Sequence, residues 1–141
     1  MYLFDSSAIA ITLKRMREKS VEVLEGEVTL DLASYELGNA IWKGCVLEKL
    51  MSSEEAADKA GGIAKILEIM RMERMGFGGG FGEAMELAIG LRLTFYEASY
   101  LYMAKSRALT LVTEDEELYG KAKRADVKAI KVSELVNGLG H

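Results

Sequence analysis

Proline and glutamine are absent from these 141 residues, and cysteine, histidine and tryptophan occur once each. The single cysteine, Cys45, has no partner for an internal disulfide, and its helical, apolar context predicts a buried small hydrophobe in a protein kept in a reducing compartment. One cysteine and one terminal histidine, His141, leave a zinc site without its usual nitrogen and sulfur ligands. No stretch approaches the roughly 18 apolar residues of a membrane span, and the N-terminus lacks the basic and apolar regions of a secretory leader. A cytoplasmic protein with no membrane association is therefore expected. Positive charge is not in excess either: 18 Lys and Arg against 22 Asp and Glu give a net charge of −4, so a polyanion would have to bind a local patch. The lack of glutamine, with only Asn39 and Asn137 for asparagine, leans toward a thermophilic source, and the lack of proline leans away from one. There is no internal repeat, and the length suits one domain over 1–141.

The most specific stretch runs from Leu93 to Leu118. Phe95 to Lys105 has helical spacing and sets Glu97 on one face with Leu101 and Ala104. Leu109 to Val112 reads as a short strand buried on both faces, ending at Thr113. Thr113 and Asp115 then occupy a strand-to-helix handover, the edge at which open parallel sheets bind ligands. Glu97 is expected to face them.

The N-terminus has the same form. A YLF strand at residues 2–4 runs into Asp5, Ser6 and Ser7 before a helix over 9–18. Asp5 reads either as an N-cap or, if its strand lies parallel beside the one ending at Thr113, as part of a site on that edge. Lys14, Arg15, Arg17 and Lys19 form either a solvated helix face or a phosphate-contacting patch beside the site.

Residues 28–32 are a second strand and 33–47 a helix buried through Ala33, Leu37, Ala40, Ile41 and Val46. Its first turn carries Glu36, either a carboxylate favoured by the helix dipole or a site residue. SSEE at 52–55 is a capping box that opens a helix expected to reach about Met75. GFGGGFG at 76–82 lacks the Lys-Ser/Thr pair and the preceding strand of a phosphate cradle, so a hinge or tight loop is expected, its two phenylalanines dipping into apolar surface. A short helix over 83–91, an amphipathic helix after Asp115, an edge strand over 127–132 and a terminal turn over 133–139 complete the chain. The expected order is β-α-β-α-α-α-α-β-α-β-α, an α/β sandwich with a mostly parallel sheet and most helices in a central insertion.

Asp5, Glu36, Glu97 and Asp115 thus all point toward one sheet edge. Like charges brought together after desolvation persist only with compensating cations, and an all-oxygen donor set suits Mg²⁺ or Mn²⁺. Such ions support hydrolysis of a phosphodiester.

YLFDSS, SYELGNAIWK, LTFYEASYLYMAKS and LVTEDEEL, in this order along the whole chain, resemble the PIN-domain family, and most of all its small prokaryotic VapC-type toxin ribonucleases. The resemblance implies a PIN-like α/β/α sandwich and a Mg²⁺- or Mn²⁺-dependent ribonuclease cutting RNA. It also implies a homodimer restrained by an antitoxin protein. By the same resemblance Asp5, Glu36 and Asp115 fall on the acidic metal positions, with Ser7 and Thr113 as hydroxyl neighbours and Asn39 as a supporting group. Glu97 stands where the family usually has aspartate. The alternative implied by that departure is a PIN-fold binding module that holds an antitoxin or RNA without efficient cleavage.

Overall fold

A computed structural model describes residues 1–138; Leu139, at the end of the expected terminal turn, and His141 lie outside them. Five short strands form one parallel sheet in the order β3-β2-β1-β4-β5: β1 (Tyr2–Phe4), β2 (Val28–Leu30), β3 (Arg71–Glu73), β4 (Thr110–Val112) and β5 (Ala129–Ile130). Helices cover both faces, as parallel strands require. The pleat separates them. Leu3, Val28, Leu30 and Leu111 point into a core shared with α5 (Gly79–Leu91), α6 (Phe95–Ser106) and α7 (Glu116–Lys121). Phe4 and Val112 point into a second core with α1 (Ser6–Met16), α2 (Ser20–Leu24), α3 (Leu32–Trp42), α4 (Ser53–Ile69) and α8 (Val132–Gly138). Phe4, Leu3, Leu111 and Val112 are fully buried, so the YLF and LTLV runs are the centre of the sandwich.

The sheet also contains the point where its order reverses. From central β1 the chain goes out to β2 and β3 on one side, then returns to lay β4 against the other side of β1, in register Tyr2 with Thr110, Leu3 with Leu111 and Phe4 with Val112. Ligands of open parallel sheets bind at the carboxyl ends of two such strands. Here those ends are Asp5 and Thr113.

Several expectations are corrected. The helix opened by the Ser52 and Glu55 capping box ends at Ile69, short of Met75, and Arg71–Glu73 pairs with β2 as an edge strand. Arg71, Met72 and Glu73 are too few to show the alternation over several residues that marks a strand in sequence. The central insertion of helices is therefore interrupted by β3, and α2 adds a further helix after Arg17 turns the chain at φ 49°. The glycine run is not wholly a loop, because α5 begins at Gly79. A Cβ on Gly80 would lie 2.5 Å from the Tyr102 hydroxyl, so glycine permits the close approach of α5 to α6. Of the two phenylalanines only Phe81 reaches a neighbouring ring outside the run, 5.0 Å from Phe95, while Phe77 is 88% exposed. After α3 the chain makes a π-helical turn, Lys43–Leu47, that turns Val46 outward and leaves Cys45 only partly buried; Trp42 and Ala40 are exposed as well.

Candidate active site

Asp5 follows β1 directly, and its backbone N–H donates to the Val112 carbonyl at 3.1 Å, which extends the strand pairing to the sheet edge. Its side chain is both a helix cap and the centre of a polar cluster. Oδ1 accepts the Ala8 N–H at 2.9 Å, capping α1, and also the Ser7 hydroxyl at 2.6 Å. Oδ2 accepts the Thr113 hydroxyl at 2.5 Å. Those two hydroxyls in turn accept backbone N–H groups from the facing loop, Glu114 to Ser7 and Asp115 to Thr113, each at 3.0 Å. Two relays therefore run from the loop after β4 to one carboxylate after β1.

That carboxylate is 5% exposed, and Thr113 is fully buried. Burial pushes the Asp5 pKa up to about 6, against the opposing pull of the Ser7, Thr113 and Ala8 hydrogen bonds, and the negative charge of Glu36 pushes it further up. Desolvation outweighs three good donors, and among the described residues no cationic side chain offsets it.

Glu36 enters from the first turns of α3, which starts one residue after β2 with Asp31 capping Leu32. Its Oε1 accepts the Tyr100 hydroxyl at 2.7 Å. Tyr100 is buried on α6, and its own pKa is raised by burial and by the charges of Glu36 and Asp5. The two carboxylates and the phenol thus form one electrostatic unit. Tyr100 was not among the residues singled out from the sequence. Its place one turn after Phe95 and Tyr96 on an apolar helix gives no sign that it reaches across to α3.

The remaining predicted residues are spread around this unit. Asp115 joins it through its backbone, while its Oδ1 caps α7 by accepting the Leu118 N–H at 2.9 Å. Glu97 sits in the first turn of α6 and closes a capping box: its Oε1 accepts the Thr94 N–H at 2.9 Å, and Thr94 Oγ1 accepts the Glu97 N–H at 3.1 Å. Asn39 is exposed on α3, three residues after Glu36. Among the described residues no three acidic, cysteine or histidine side chains converge closely enough to ligate one ion as they stand. The chemistry of the donor set nevertheless fits a hard divalent cation. Asp5 and Glu36 already press on one another, the side-chain groups bonded to them are all oxygens, and a cation would offset the desolvation that raises the Asp5 pKa.

Lys14, Arg15, Arg17 and Lys19 do not border this edge. Lys14 is nine residues along α1 from Asp5, about 13 Å at 1.5 Å per residue, so the basic cluster stands at the opposite end of the helix. Lys14 and Arg17 instead rim a groove of about 710 Å³ between α1, α3 and α4, with Leu13, Leu37, Ile63 and Ile66 among its apolar walls.

No family model matches the chain. Exonuclease VapC9 of Pyrobaculum aerophilum is 35% identical to it over 134 residues, 93% of each protein. Ribonuclease VapC3 of the same organism is 27% identical over 122 residues, 83% of this chain and 91% of that one. Among solved structures, PAE2754 from Pyrobaculum aerophilum superposes with a TM-score of 0.80 at 34% identity, covering 99% of this chain and 94% of that chain.

Proposed function

The chain belongs to the VapC family of PIN-domain proteins, and from that premise we propose that it is a Mg²⁺- or Mn²⁺-dependent endoribonuclease and the toxin of a toxin–antitoxin pair. The observation that carries the reading is the buried Asp5 at the order-reversal of the sheet, with Glu36 close enough to raise its pKa. Asp5, Glu36, Glu97 and Asp115 are the proposed cation-holding residues. A divalent cation held there would stabilise the negative charge that builds on a phosphodiester as water displaces the leaving oxygen. The chain's own groups prepare that place. Ser7 and Thr113 fix both oxygens of Asp5, Tyr100 fixes one oxygen of Glu36, and the N-termini of α1, α3, α6 and α7 turn their partial positive charge toward the same edge.

The relatives' names include both an exonuclease and a ribonuclease, so the test must read products. End-labelled RNA incubated with Mn²⁺ should give internal cuts, and EDTA should stop them. Stepwise shortening from one end would replace the endonuclease reading with an exonuclease one, and cleavage by pure protein in chelator would remove the cation from the mechanism.

Tyr100→Phe gives a finer check. The ring still fills its buried place, but Glu36 loses the hydroxyl that orients it. Loss of such outer partners costs about 10- to 100-fold in metal affinity or activity. The variant should therefore need more Mn²⁺ for half-maximal cleavage while melting within a few degrees of wild type. An unchanged Mn²⁺ requirement would make Tyr100 a packing residue only.

Two partners belong to the same reading. A helix of the antitoxin is proposed for the groove between α1, α3 and α4, whose Lys14, Arg17 and Lys59 rim suits an acidic amphipathic segment. A second copy is proposed against α5, where Phe81, Met85 and Ile89 recur every four residues and are 41%, 41% and 73% exposed.

A further inference from the structure

Beside the carboxylate edge, on the β2 and β3 side, lies a recess of about 230 Å³ lined by Tyr35, Phe95, Tyr96 and Phe77, with Asp31 and Arg74 among its polar residues. Its rings are unusually bare: Tyr35 is 74% exposed, Tyr96 59% and Phe77 88%. None of the three contributes to either core. Leaving several large apolar rings in water around one hollow is unfavourable by area alone, and grouped exposure of this kind marks a binding surface.

We propose that this recess receives one unpaired nucleobase of single-stranded RNA next to the phosphate held at the carboxylate edge. It rests on the ribonuclease reading of that edge and adds a base-binding subsite to it. Four observations point to a base rather than another occupant. The recess is smaller than the ~300–1,000 Å³ of a drug-sized ligand site, so it suits a single ring system. Its walls are aromatic, and stacking on such rings is how proteins hold unpaired bases without reading a duplex. Arg74, exposed and 3.7 Å from Asp31, supplies a cation for the sugar-phosphate chain in a protein that is otherwise acidic. The recess also opens at the carboxyl edge of the sheet, since Leu30 and Asp31 at the end of β2 form part of its wall. Tyr35 immediately precedes Glu36 on α3, Tyr96 immediately precedes Glu97 on α6, and Ser99, which precedes Tyr100, lines the recess too. A strand whose phosphate lies at that edge would therefore carry an adjacent base toward the side of the sheet where these rings stand.

The test separates binding from cleavage. In an Asp5→Asn background with Mn²⁺ present, where cleavage is suppressed, short single-stranded oligoribonucleotides carrying 2-aminopurine at successive positions should show fluorescence quenching at one position. Tyr35→Ala with Tyr96→Ala should abolish that quenching and weaken RNA binding about tenfold or more, within the range found for base–aromatic stacking. Tyr35→Phe with Tyr96→Phe should retain both. In the Asp5-containing protein the same Ala pair should lower cleavage of single-stranded RNA by a similar factor. Wild-type affinity in the Ala pair, or no quenching at any position, overturns the subsite while leaving the nuclease intact if wild type still cleaves RNA. A shift in molecular mass with RNA affinity per chain unchanged assigns the rings to contact between copies and overturns it as well. A wild-type protein that neither binds nor cuts RNA fails the ribonuclease reading, and the subsite with it.

Discussion

Asp5→Asn is expected to lower RNA cleavage by about a thousandfold, the upper range for removing one preorganised electrostatic group from a site, while leaving the fold intact. Asparagine keeps the N-cap, since its carbonyl can still accept the Ala8 N–H and the Ser7 hydroxyl. Its amide can donate to the Thr113 hydroxyl, which has a second lone pair beside the one that accepts the Asp115 N–H. What disappears is the charge. Because burial raises the folded pKa from 3.8 to about 6, the folded protein binds more protons than the unfolded chain between those values. Stability therefore falls as the pH rises through this window. The loss is on the order of 3 kcal/mol, and it is complete above the folded pKa. Urea unfolding of metal-free wild type and Asp5→Asn from pH 4 to 7 should show this slope in the wild type alone, so that the variant is the more stable protein at pH 7. Parallel slopes would mean that Asp5 is not a buried acid with a raised pKa. A variant that loses several degrees of melting temperature and keeps its activity would make Asp5 a cap and nothing more.

Glu97 carries the second large effect, because its structural and proposed chemical roles separate cleanly. Glutamine serves as well as glutamate at the last position of a capping box, so Glu97→Gln should melt close to wild type. Its cleavage should fall about a hundredfold, because an amide holds a cation far more weakly than a carboxylate and small errors of placement already cost that much. Glu97→Asp shortens the side chain and loosens its reach back to the Thr94 N–H, which should cost about 1 kcal/mol, but it should preserve or raise cleavage. Single-turnover cleavage and thermal melts of the three proteins decide between the alternatives. Equal cleavage by wild type and Glu97→Gln would leave Glu97 a helix cap. An inactive wild type revived by Glu97→Asp would identify a binding module with a disabled site.

The strand ends were legible because β1 and β4 are short, apolar and followed at once by cap residues, so YLF-Asp5 and LTLV-Thr113 announce both the sheet and its edge. The Ser52 capping box was legible for the same local reason, and Thr94-x-x-Glu97 has the identical signature four residues wide, yet reads as easily as a carboxylate on an apolar stripe. What could not be read is set by contacts far apart in sequence. β3 exists because β2 offers it hydrogen bonds, not because Arg71–Glu73 favours a strand. α5 starts inside a glycine run because α6 lies against it. The Tyr100 contact with Glu36 spans 64 residues, and nothing local to either residue encodes it. Of the two readings left open for the basic end of α1, the helix length disfavours a patch beside the site, because it carries Lys14 away from the edge at Asp5.

The hydroxyl that holds Asp5 Oδ2 lies 108 residues downstream of it. On a ribosome that adds about 5–20 residues per second, the first strand is made long before the fourth can dock beside it. Until then Asp5 is a solvated cap on a loose helix, with neither Thr113 to hold it nor the paired β4 backbone to bury it. A chain stalled or cleaved before residue 113 has the acidic residue but cannot assemble its surroundings. Translation therefore delivers the carboxylate first and the hydroxyl that holds it 108 residues later, so the polar cluster at this sheet edge is assembled late even though its central residue is among the first made.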